Sequence, residues 1–140
     1  MQRLYALAVV LSLALLLGCG SSRASDSAVK ETVQRGVGQL RAPQTAEQLN
    51  DDLVRTLRQL RSERASTATG RSGRALAIGG FTWTLRGIDA RLEMTRNDSG
   101  NLEASVRDAK RADRDLRKGA RLLRAAGRSL GIRIGKLNGF

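Results

Sequence analysis

Residues 102–130 read LEASVRDAKRADRDLRKGARLLRAAGRSL, and this stretch decides the fold. Leu102, Ala109, Leu116, Leu123 and Leu130 recur every seven residues, interleaved with Val106, Asp113, Ala120 and Gly127. That repeat describes one face of a long helix; a strand alternates its side chains every second residue instead. With Val106 at heptad position a, the g positions are Ser105, Ala112, Gly119 and Ala126, so one side is leucine plus small residues. The other side is basic. Arg107, Arg114, Arg121 and Arg128 occupy b, Lys110, Arg117 and Arg124 occupy e, and Arg111 and Lys118 occupy f. These three positions are contiguous around a helix and span an arc of about 100°. Asp108 and Asp115 fall at c, off that arc.

The segment before it offers a matching surface. Between Arg74 and Asn97, Gly73, Ala77, Gly80, Thr84 and Gly87 form a small-residue stripe beside an apolar seam of Ile78, Phe81, Leu85, Ile88 and Leu92. Both stripes keep a helical period, and small residues in register let a neighbouring backbone approach closely. A break at Gly79-Gly80, with a shorter helix from Phe81, is the alternative. Upstream, Thr45-Ala46-Glu47-Gln48 is a capping-box pattern opening a helix with Leu49, Leu53, Leu57 and Leu60 on one face. Asp51 and Arg55 are spaced for an i,i+4 ion pair on it. Val29, Val33, Val37 and Leu40 mark an earlier helix, weakened by Gly36 and Gly38 and ended by Pro43. No segment demands a strand. The expected fold is all-α, a small antiparallel bundle of three to four helices over residues 27–131. The turn Asn97-Asp98-Ser99-Gly100 joins the last two helices. The basic-apolar tail 132–140, with Ile132, Ile134, Leu137 and Phe140, is open between docking on the bundle and disorder.

Composition narrows the chemistry. The chain has 140 residues, Lys+Arg 25 against Asp+Glu 13, no histidine and one cysteine. There is therefore no Cys/His zinc site, no histidine general base and no intrachain disulfide. One proline and 41% hydrophobic residues argue against a disordered or collagen-like chain. Asp113-Arg114-Asp115 has DxD spacing but is embedded in a basic helix, where Asp113 has Arg117 at i+4 for an ion pair. Gly70-Arg71-Ser72-Gly73 and Gly79-Gly80 match neither GxGxxG nor GxxxxGK[ST]. Trp83 reads as a packing residue. No catalytic, metal or cofactor site emerges, and the expectation is a non-enzymatic protein.

The N-terminus carries an address. After Met1-Gln2-Arg3, Leu4 to Leu17 is an apolar run interrupted only by Ser12. It is shorter than the ~20 residues of a membrane span and fits the apolar region of a signal peptide. It ends Leu16-Leu17-Gly18-Cys19, which resembles the lipobox of bacterial lipoproteins. The resemblance implies removal of residues 1–18 as a signal peptide and acylation of Cys19 with a diacylglyceryl group bearing chains such as palmitate. It implies a cell-envelope location, outside the cytoplasmic membrane or in the outer membrane. Residues 19–26 then read as the lipidated cysteine and a flexible polar tether.

The basic arc has two readings. Arg 21 against Lys 4 suggests an arginine-biased proteome, in which the arc is a solvated face. Otherwise it is a surface for anionic phospholipid or a phosphate-bearing envelope polymer, acting with the lipid anchor as a second attachment signal. Nucleic acid is disfavoured by the implied location and by the lack of interleaved aromatic residues. The alternative function is an accessory or oligomeric lipoprotein subunit whose helical seams pack on a protein partner or a second copy.

Overall fold

Val29, Val33, Val37 and Leu40 set the inner face of the first helix, and all four are buried. They belong to a computed structural model that describes residues 20–96 and 102–137. The expected signal peptide, Cys19, the Asn97–Gly100 turn and Phe140 lie outside the described residues. Within them the chain forms α1 (Gly20–Gln39), α2 (Ala46–Ser62), α3 (Ala68–Arg96) and α4 (Leu102–Leu130), and no strand. The fold is a small all-α bundle.

α1 starts earlier than the sequence suggests: residues 20–26, expected as a flexible tether, are helical. No Pro or Gly lies between Ser21 and Arg35 to stop the helix, and Asp26 is fixed by a tertiary contact. Its carboxylate accepts hydrogen bonds from Ser66 N at 2.9 Å and from the Thr67 hydroxyl, where α3 begins. α1 and α2 run antiparallel, joined by a row of polar contacts. Thr32 Oγ1 donates to Glu63 Oε1 at 2.5 Å, Arg35 Nη1 to Gln59 Oε1 at 3.0 Å, and Thr56 Oγ1 to Gln39 Oε1 at 3.0 Å.

α2 opens with the expected capping box. Gln48 N–H donates to Thr45 Oγ1 at 3.2 Å and Thr45 N–H donates to Gln48 Oε1 at 3.0 Å, which satisfies two of the helix's free amides. Leu53, Leu57 and Leu60 are buried on the predicted face. The ion pair on this helix is Asp52–Arg55, one residue off the expected Asp51–Arg55, because Asp52 is half-buried beside Arg55 while Asp51 faces solvent. At its other end Arg74 of α3 donates to the Leu60 and Arg61 carbonyls at 2.6 and 2.8 Å, capping the C-terminal dipole with a cation.

α3 is one continuous helix through Gly79-Gly80, with no break. It is the centre of the bundle because two of its faces are buried. Phe81, fully buried, abuts Gly36 of α1 and lies among the leucines of α2. The small stripe Gly73, Ala77, Gly80, Thr84 and Gly87 is buried against α4. There the two helices run antiparallel in strict register: Gly73 faces Leu130, Gly80 faces Leu123 and Gly87 faces Leu116. Each leucine fills the space that a Cβ would occupy on the glycine opposite. In return Gly119 of α4 lies against Thr84 and the Gly80 carbonyl. Glycine is tolerated in these helices because backbone contact on a small-residue face replaces the lost propensity.

The α4 seam is buried only from Ala112 onward. Leu102 is 78% exposed and Val106 43% exposed, although the heptad places both inward. At its C-terminus α4 closes on Gly131 at φ 67, with Ile132 N–H donating to the Gly127 carbonyl at 2.9 Å. Only glycine adopts that φ freely, and the bond reverses the chain. The tail therefore docks: Leu137 is buried, and Ile132 and Ile134 pack on the core.

Candidate functional site

All nine cations of the basic arc, Arg107, Lys110, Arg111, Arg114, Arg117, Lys118, Arg121, Arg124 and Arg128, are exposed. From Arg107 to Arg128 the row runs about 30 Å along the helix at 1.5 Å per residue. The register with α3 puts it there, since the leucine-and-small face is sealed on the opposite side.

Two acidic residues of the same helix, Asp113 and Asp115, are engaged by α3. Asp113 accepts from Arg91 of α3 at 2.8 Å, not from its i+4 neighbour Arg117. That hydrogen bond, with the charges of Arg91 and Arg117, holds the Asp113 carboxyl below its usual range. Asp115 faces Arg86 of α3 at 3.9 Å. Helix-to-helix partners win over the intrahelical pair because α3 lies in close contact along this whole edge. Among the described residues, none of the nine cations has an ion-pair partner.

Two apolar side chains flank the row. On one edge Trp83 of α3 is half-buried, with the Lys118 ammonium 3.6 Å and the Arg86 guanidinium 4.6 Å from its ring centroid. The expected packing role is thus incomplete: the ring is also a seat for two cations. On the other edge Leu137 of the tail, with Ala120, floors a pocket of about 170 Å³ walled by Arg117, Arg121 and Arg124. The sequence does not display these edges directly. Trp83 is legible only once the glycine row is paired with the leucine row, which brings it beside Lys118. Leu137 depends on the chain reversal at Gly131.

Other sequence candidates dissolve. The glycines at 70, 73, 79 and 80 lie inside α3 and form no loop. Asp113 and Asp115 are engaged by different arginines and do not converge. Among the described residues no group of three His, Cys, Asp or Glu side chains is placed to hold a metal ion. A cleft of about 360 Å³ toward the far ends of α3 and α4 mixes Arg86 and Arg111 with Asp89, Glu93 and Asp108. It presents both signs of charge. No helix among the described residues is long and apolar enough to cross a membrane.

Fold and site together define a class by architecture: a helical bundle presenting a one-sided row of exposed cations with apolar edges. Comparison with protein-family models, with curated proteins and with solved structures finds no match.

Proposed function

We propose that this chain is a non-enzymatic, lipid-anchored envelope protein whose basic α4 face binds or scaffolds on anionic lipid or envelope polymer. One observation carries the reading: nine cations share an exposed face without a single ion-pair partner among the described residues, while Asp113 and Asp115 beside them pair with arginines of α3. A face serving solubility alone needs no such segregation, since mixed charges do as well. Each cation near an anionic leaflet contributes about 1 kcal/mol, so a row of them and an acyl chain make two cooperating attachments.

The position of α1 supports the same arrangement. Its early turns meet the start of α3, and Ser129 Oγ donates to the Thr69 carbonyl at 3.0 Å, so the start of α1 and the end of α4 share one end of the bundle. Residues 20–26 are helical, so they cover about 10 Å rather than the 25 Å of an extended tether.

Two measurements test the proposal. Mass spectrometry of the membrane fraction should find a diacylglyceryl group on Cys19 at the mature N-terminus. Cosedimentation of a Cys19→Ser form with vesicles at low salt should favour anionic over neutral lipid; equal binding defeats the basic-face reading. A second reading, an accessory or oligomeric subunit, is favoured by the exposed Leu102 and Val106, which continue the heptad seam without cover. A strictly monomeric mass over a range of concentrations disposes of self-association.

A further inference from the structure

We propose that Arg117, Arg121, Arg124 and Leu137 form a discrete seat for the phosphate of one anionic phospholipid headgroup. This deepens the basic-face reading and rests on it. The three arginines are spaced four and three residues apart, so they rise from adjacent turns of α4 around one pocket of about 170 Å³. Like charges so spaced repel each other, and no carboxylate among the described residues pairs with them. An anion in the pocket replaces that repulsion with charge-assisted hydrogen bonds, for which the guanidinium fork and the phosphate oxygens are matched in shape.

The floor chooses the kind of anion. Ala120 and Leu137 are apolar, and they line the same pocket as the three arginines. A free phosphate is hydrated on all sides and gains nothing from such a floor. An amphiphile places its phosphate on the arginines and its glycerol and first methylenes on Leu137. The seat is also built rather than incidental. Leu137 reaches it only because Gly131 and the Ile132-to-Gly127 hydrogen bond fold the tail back, with Ile134 packed over Gly127 on the way.

Native mass spectrometry of the full chain in non-ionic detergent counts bound lipid and tests the seat. The probes are phosphatidylglycerol, phosphatidylcholine and inorganic phosphate. The expected result is one retained phosphatidylglycerol per chain, with retention about tenfold weaker in R117Q/R124Q than in R107Q/R114Q. The second pair removes the same charge from the same face outside the pocket. Equal losses in the two variants overturn the seat and leave the broader basic-face reading standing. Retention of phosphatidylcholine as strong as phosphatidylglycerol, or displacement by inorganic phosphate at equal concentration, also overturns it. If no form prefers the anionic lipid at low salt, both readings fall together. Circular dichroism checks each variant; should R117Q/R124Q lose helicity, Arg121→Gln alone carries the test with the same expected loss.

Discussion

Gly119→Ala tests the α3–α4 contact on which the orientation of the basic row depends. In a helix interior alanine is better than glycine by about 0.8–1.0 kcal/mol. At position 119 that gain is overridden. A Cβ there lies 2.9 Å from the Gly80 carbonyl oxygen and 2.9 Å from Thr84 N, besides meeting the Thr84 hydroxyl. Two of these atoms are backbone, so no rotamer change relieves them, and the helices must separate by about 0.5 Å. A gap of that size forfeits roughly a quarter of the contact energy along the shared face. Overpacking of this kind costs about 1–3 kcal/mol, occasionally more. With all three contacts under 3 Å and two of them to backbone, the cost falls in the upper part of that range, about 2–3 kcal/mol, so less the propensity gain the expected net loss is about 1–2 kcal/mol. Gly79→Ala is the internal control, one face round on α3, where the nearest atom to a new Cβ is Leu122 Cδ1 at 3.5 Å. That is ordinary contact, and the variant keeps its gain of about 1 kcal/mol. Thermal unfolding followed by circular dichroism at 222 nm should place Gly119→Ala about 4–8 °C below wild type and Gly79→Ala about 4 °C above it. A Gly119→Ala protein that melts at or above wild type refutes backbone contact between α3 and α4.

Three further outcomes follow from contacts elsewhere. Thr45→Ala removes the hydroxyl that accepts from the Gln48 N–H and should cost about 1 kcal/mol by the same melts, with Gln48→Ala, which removes the reciprocal bond from the Thr45 N–H, costing less. Leu137→Ala should cost about 2 kcal/mol and speed tryptic cleavage at Arg133 and Lys136, because the tail loses its one buried leucine. The Asp26 carboxyl is held below its ordinary 3.8 by the Thr67 hydroxyl, the Ser66 and Thr67 amides and the charge of Lys30; Asp113 is lowered by Arg91. Groups with depressed folded pKa values stabilise fully above 3.8 and lose that contribution as pH falls through the lower folded values. Melting temperature should therefore hold from pH 7 to 5 and drop below pH 4, with a shallower drop in Asp26→Asn; an unchanged acid limb in that variant removes Asp26 from the account.

Periodicity made most of the fold readable. The leucine heptad of 102–130, the valine row of α1 and the Thr45–Gln48 box are local patterns, and each dictates local geometry without reference to the rest of the chain. The small stripe of α3 was readable too, because five small residues at helical spacing have few uses besides close approach. What escaped the sequence depends on register between helices. Asp113 chooses Arg91 over Arg117, and Trp83 gathers Lys118 and Arg86, only because α3 and α4 meet at one particular offset. Helix at 20–26 escaped for the same reason, since Asp26 is steadied by residues forty positions away. Leu102 and Val106 obey the heptad and still face solvent, a reminder that a pattern names a face but not its cover. The exposure of the basic row could be read in advance; its apolar edges could not.

The glycine–leucine pairing between α3 and α4 behaves like a key in a slotted shaft. Three leucines enter three slots spaced seven residues apart, so the next position in which all slots could accept a leucine lies a full heptad, about 10 Å, along the axis. Smaller slips lift every leucine out at once, and rotation does the same. Conventional seams of interdigitating side chains can creep by rotamer exchange; this one has backbone on the receiving side and nothing to exchange. The bearing of the cation row relative to the start of α1 is thus indexed mechanically. A substitution that widens a slot leaves the charges intact while removing their common aim.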